Sequence, residues 1–308
     1  MPDEQLLPVE KRPDADWARL TAQTPLRAAF GGFRAYMDQR DLTENTCKSF
    51  MYDLNILAQF VGLGRPIGDI ATKDLKDYVE WLQHGRGVPC NQKSLARRIT
   101  SLKVFFLWLA DEGVIPADPA APIPQKPVTT PLPDILFDSQ VEQLVATTNM
   151  LRHGEKPDAR PHLLVTLLLA TGIKKSECVA LVLNHLDLSD PQAPAVWIRY
   201  GDARHQHKER KLKLPVEWPR ILDEYRAQYK INDKIFACTP RNLEYVLRDV
   251  SILAGLKQVS FEMLRWTCAV RDYKTGMSEE LLRHKLGLSR MTWEEAGEKI
   301  KRLAAPAV

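Results

Sequence analysis

The chain has 308 residues, 44% of them hydrophobic and 27% charged, enough for two domains that each bury a core and close to the balance of a soluble globular protein. The longest apolar run, HLLVTLLLATG, is too short to span a bilayer and the start is polar and proline-containing, which argues against a membrane partner or a secretory leader and for a cytoplasmic protein. The net charge of +4 hides an excess of seven positive charges between Arg199 and Arg302, which suits either a polyanion partner or a solvated face.

In chain order, helical periodicity is predicted over about 24 to 40, about 43 to 61 opened by Thr43, about 72 to 84 opened by Thr72, and 91 to 113. In the last of these Leu95, Ile99, Leu102, Phe106 and Leu109 form one apolar stripe. Arg97 points away from the stripe, and Arg98 and Lys103 sit on its edges. All three could grip phosphate or simply keep the helix soluble. Residues 116 to 133 hold 7 of the 21 prolines, so they cannot be helix or central strand and read as a semi-rigid linker. Helices follow at about 138 to 150, at about 161 to 171 and from Ser176.

The pattern then changes. Val196, Ile198 and Tyr200 alternate, as do Leu212 and Leu214, which predicts a β-hairpin whose tip carries Arg204, His205, His207, Lys208, Arg210, Lys211 and Lys213 against Glu209. The rest reads as helical, the last helix opened by a capping box from Thr292 to Glu295. Five scattered cysteines without a CxxC pair fit neither a disulfide framework nor a zinc site, and no metal site is expected; His205 and His207 lack a third ligand. The fold class is mainly α with a small β-sheet or hairpin in the C-terminal domain.

Several strings occur in one order: LLATGIKKSECVAL (168 to 181), the basic hairpin, VSFEMLRWTCA (259 to 269) and GMSEELLRHKLGLS (276 to 289). Together they resemble the tyrosine recombinases, the family of phage integrases and Xer-type recombinases, over nearly the whole chain from about residue 24. The resemblance implies an N-terminal extension over 1–23, a helical core-binding (SAM-like) DNA-binding domain over 24–115, the linker, and a catalytic-type domain over 134–308. The two domains would form a C-shaped clamp on double-stranded DNA. It also implies attack of a tyrosine on a DNA phosphate, helped by two arginines, a hairpin lysine and two His-type residues, with no metal or cofactor.

Carried over position by position, that site is degenerate. Lys174 stands for the first arginine, a point charge in place of a planar fork. Arg265 is the second arginine, but the histidine three residues before it is Glu262, which can pair with Arg265 at i, i+3. Leu288 replaces the residue after Leu-Gly and can neither donate a hydrogen bond nor carry charge. The tyrosine should fall near Gly297, and the last of the eight tyrosines is Tyr273. The hairpin lysine is open: His205 stands near its place, or a shifted tip would offer Lys208, Lys211 or Lys213. Residues expected on DNA are Arg97, Arg98, Lys103, Lys174, Arg204, Lys208, Arg210 and Arg265. The favoured expectation is a catalytically inactive DNA-binding homologue, with an active recombinase or further copies of itself as partners. An active recombinase with a non-standard or partner-supplied nucleophile, and a protein-interaction module reusing the fold, are the alternatives.

Overall fold

The structure is a computed structural model that describes residues 19–88, 90–125 and 131–305. Most of the expected extension over 1–23 lies outside these residues. The chain divides into two compact units, Met1–Thr130 and Pro131–Val308.

In the first unit the apolar stripes foreseen in the sequence become α1 (Ala29–Gln39), α2 (Glu44–Val61), α3 (Thr72–Glu80) and α4 (Gln92–Asp111). Thr43 caps α2 by accepting from the Thr46 N–H at 3.2 Å, and Asn91 caps α4 by accepting from Ser94 at 2.8 Å; each satisfies a helix-end donor that would otherwise lack a partner. A π-helical turn, Trp81–Gly85, ends α3. The core is aromatic: Phe33 meets Phe105 edge-on at 5.1 Å, a geometry that matches a ring edge to a ring face, and lies tilted against Trp108 at 5.4 Å.

The proline-rich segment is not a free spacer over its described part. Ala120 and Ile123 are buried in this core, Thr72 donates to Pro119 O at 2.8 Å, and Gln125 donates to the Thr100 hydroxyl at 2.9 Å. Proline forbids helix and ladder pairing but not burial. Ile123→Ala is therefore expected to lower the stability of this unit by about 2–4 kcal/mol, the usual cost of a large-to-small core change, measured by chemical denaturation.

The second unit is built on α6 (Arg160–Thr171), whose Leu163, Leu164, Val165, Leu167 and Leu168 are all buried. It packs against α5 (Asp138–His153), α8 (Trp218–Tyr229), α9 (Pro240–Leu253) and α10 (Phe261–Lys274), which is why its sequence is apolar all round. The short α7 (Lys175–Val179) leads to a three-stranded antiparallel sheet of β1 (Leu186–Asp187), β2 (Ala195–Ile198) and β3 (Arg210–Lys213). Val196 stands opposite Leu212 and Ile198 opposite Arg210. The tip of the hairpin is a 3₁₀ turn, Ala203–Lys208, so Arg210, Lys211 and Lys213, expected on the tip, belong to β3 instead. Finally α11 (Glu279–Lys285) and α12 (Arg290–Ala304) pack on α10. Ser289 is the cap of α12, accepting from the Thr292 N–H at 3.2 Å, so this helix starts one turn before the capping box expected at Thr292. Among the described residues no helix is long and apolar enough to cross a membrane.

Candidate functional site

Helix α6 stops at Gly172, where φ is +61°, a conformation that costs glycine little. A Cβ there would lie 3.2 Å from Leu286 and 3.3 Å from the Cys268 sulfur, so the end of α6 rests directly on α10 and on the end of α11. Lys174 then caps α7, and its N–H donates to Glu177 Oε2 at 2.8 Å. This puts Glu177 inside the unit with its side chain 1% exposed.

Arg210 meets Glu177 there. Its Nη2 and Nη1 donate to the two carboxylate oxygens at 2.9 and 3.1 Å, Nη1 also donates to Lys208 O at 3.0 Å, and Nε donates to Lys285 O at 2.7 Å. The Tyr200 hydroxyl donates to the same carboxylate. Burial pushes the Glu177 pKa up, but Arg210, Tyr200 and the Lys174 N–H outweigh it and hold the carboxyl below its ordinary value. The Tyr200 phenol is pushed up to about 12 by burial and by Glu177. Arg210 was expected on DNA; instead it is fully buried and ties β3 to α7 and α11, while Lys211 and Lys213 alternate outward. Gly287 closes over it, since a Cβ at that position would lie 2.7 Å from Arg210 Nη1.

Arg265 projects from α10 beside this network. Its Nη2 donates to Leu286 O at 2.6 Å and its Nη1 to Gly172 O, and burial lowers its pKa. Lys174 is half-buried next to it. Burial lowers the Lys174 pKa against the opposing pull of Glu177, and the charges of Arg265, Lys208 and Arg210 act in the same direction as burial. Three of the expected cations, Lys174, Lys208 and Arg265, are thus neighbours.

Of the other positions, Glu262 differs from expectation in its contacts. Glu262 is exposed and accepts from Trp266 Nε1 at 3.4 Å; it does not pair with Arg265, whose guanidinium is turned to backbone carbonyls. Leu288 is half-buried against the cluster that α10, α11 and α12 share. Gly297 is buried in α12, and a Cβ there would come within 3.1 Å of the Trp293 ring. Tyr273 packs on that same cluster. The hydroxyls of Ser289 and Thr292 lie 2.9 Å apart in the cap of α12.

At the hairpin tip Asp202 accepts from the Arg204 N–H at 2.9 Å and pairs with the Arg204 guanidinium at 3.1 Å. The His205 ring lies 5.5 Å from that of Tyr200. In the N-terminal unit Arg98 is buried, donating to Cys90 Sγ at 2.8 Å and lying 3.6 Å from Asp53. Lys103 donates to Ala121 O at 3.3 Å and so helps hold the proline-rich segment. Of the three cations expected on DNA from α4, Arg98 is removed by burial; Arg97 reaches the buried Asp53 yet keeps its side chain 37% exposed.

Sequence reasoning missed a further basic surface. Lys175, Thr239, Arg241, Glu244, Tyr245 and Arg248 line a shallow pocket at the start of α9. Arg241 Nε donates to the Tyr245 hydroxyl at 2.7 Å, Arg248 stacks over that ring at 4.8 Å, and Lys175 pairs with Glu244 at 2.6 Å. The spacing of 241, 245 and 248 placed them on one helical face and was the available signal.

Comparisons with known proteins agree with this architecture. Residues 32–113 match the family described as Phage integrase, N-terminal SAM-like domain. A tyrosine recombinase XerC of Roseiflexus sp. (strain RS-1) is 31% identical over 274 residues, 82% of this chain and 83% of the relative. A tyrosine recombinase XerD of Listeria innocua serovar 6a (strain ATCC BAA-680 / CLIP 11262) is 25% identical over 80% of this chain and 86% of the relative. Among solved structures, a lambda integrase dimer bound to a COC' core site has the same fold with a TM-score of 0.69 at 14% identity, over 92% of this chain and 79% of that one. XerH site-specific recombinase bound to a palindromic difH substrate gives 0.68 at 16%, over 92% and 96%. The recombinase of Roseiflexus aligns with both units at an identity well above that of shared fold alone, and the chain belongs to the tyrosine recombinase family.

Proposed function

We propose that the chain is a catalytically inactive tyrosine recombinase homologue that binds duplex DNA, an accessory or regulatory factor in site-specific recombination, integration or maintenance of a mobile element. The observation that carries this reading is Gly297. Counted along the family motif, the nucleophile would fall near this residue, a buried glycine beneath the Trp293 ring, and the chain has no tyrosine after Tyr273. Phosphoryl transfer asks a protein for an aligned nucleophile, proton transfer and cations at the developing charge. Here the cations remain, while Glu262, Leu288 and Gly297 supply neither the proton donors nor the phenol. Ser289 and Thr292 offer only aliphatic hydroxyls, which ionise far less readily than a phenol of pKa ~10, and both sit in a helix cap.

The DNA-binding half of the reading rests on a basic strip. Lys208 and Lys174 are neighbours, Lys174 is followed by Lys175, and Lys175 bridges to α9 through Glu244, next to Arg241 and Arg248. The start of α9 adds the positive end of a helix. An active recombinase, or further copies of this chain, would share the DNA. The test is a mobility-shift titration against a duplex over a salt series. Affinity is expected to fall linearly with salt on a log-log plot, by about 0.9 per phosphate contact. Absent or salt-independent binding would remove DNA from the reading.

A further inference from the structure

Asp53 stands on the inner face of α2 with its side chain 1% exposed, where a carboxylate is tolerated only with donors or cations around it. Three groups of α4 converge on it. Arg97 Nη1 donates to Asp53 Oδ2 at 2.6 Å, the Ser101 hydroxyl donates to the same oxygen at 2.9 Å, and Arg98 Nε lies 3.6 Å from Oδ1. Arg97 Nη1 also donates to Ser49 O at 3.1 Å, one turn earlier on α2. The Arg97 side chain nonetheless keeps 37% of its surface in solvent, and its Nε and Nη2 have no hydrogen-bond partner among the described residues.

A guanidinium is planar, so holding Nη1 at two acceptors fixes the direction of the outward donors. We propose that Asp53 is a positioning residue for DNA binding, holding Arg97 in one orientation so that its outward donors meet a backbone phosphate of the duplex. The inference rests on the DNA-binding reading above. Arg98 is the second cation on the same carboxylate, so Asp53 tethers Arg97 without cancelling the positive charge of the group. An untethered arginine would present the same charge but lose rotamer freedom on binding.

The test is a binding titration over a salt series with the full chain and its Asp53→Asn, Arg97→Ala, Arg97→Lys and Asp53→Asn/Arg97→Ala variants, fold being checked by circular dichroism. Arg97→Ala is expected to weaken binding about tenfold and to lower the salt slope by about one. Asp53→Asn should match that loss of affinity to within about threefold, with the double variant no weaker than Arg97→Ala, as coupled residues behave. Arg97→Lys guards against an unfolded Asp53 variant: it keeps the charge, loses the two-point tether, and should weaken binding several-fold while the salt slope stays near that of the parent. Wild-type affinity in Arg97→Lys, or in a folded Asp53→Asn while Arg97→Ala is weakened, overturns the inference. If Arg97→Ala binds as the parent does while hairpin variants are weakened, the inference falls and the DNA-binding reading stands. No salt-dependent binding by the parent removes both.

Discussion

Arg210→Ala is expected to destabilise the C-terminal unit by about 3–5 kcal/mol, the cost of leaving one partner of a buried ion pair without the other. The Arg210 and Glu177 side chains are 0% and 1% exposed, so the carboxylate would be left without its cation away from bulk solvent. Arg210 also closes the carbonyls of Lys208 and Lys285, so its removal frees the hairpin tip and the end of α11 together. Chemical denaturation should show the loss directly. A Glu177→Met/Arg210→Met double variant should lose less than Arg210→Ala alone, because it leaves no unpaired charge behind. The pair also sets an acid limit. The Glu177 pKa is depressed in the folded state, so it contributes stability above its unfolded value, and that contribution disappears as pH falls through the folded value.

The second large effect is on binding. A combined Arg204→Ala, Lys208→Ala, Arg241→Ala and Arg248→Ala variant should bind duplex DNA about 10²- to 10³-fold more weakly at moderate salt and lose about three to four from its salt slope. Arg204, Arg241 and Arg248 are exposed, and the ion pairs of Arg204 with Asp202 and of Arg248 with Asp249 are of the surface kind that contributes about 0–1 kcal/mol and yields readily to a phosphate. Thermal melting should therefore change little. A parent-like affinity in this variant would place the duplex on some other face. Arg210 is left out because its loss would report on folding, not on phosphate contact.

Much of this was legible in the chain. The helix order and the hairpin followed from periodicity and spacing, and the family from three motif strings taken together with the hairpin. The orientation of Arg210 was also there to be read: it shares the period-2 face of Leu212 and Leu214, which are buried. Its partner was not, because Glu177 lies 33 residues away. The choice between Arg265 and Trp266 as the neighbour of Glu262 was undecidable locally, since i, i+3 and i, i+4 are both reachable on a helix. Carbonyls of Gly172 and Leu286, far along the chain, decided it by claiming Arg265. Arg98 was misplaced for the same kind of reason: an edge position on a stripe is outward unless another helix brings an acid to it, and Asp53 of α2 does.

The most direct test of the central claim is covalent trapping. The purified protein is incubated with nicked suicide duplexes, and the products are resolved on a denaturing gel beside a native mobility-shift lane. On the proposed reading that Gly297 stands where the nucleophile would be, a shifted complex is expected on the native gel and no protein-DNA band on the denaturing one. A covalent band would contradict it, and mapping the linked residue would identify the side chain that attacks in place of the missing tyrosine.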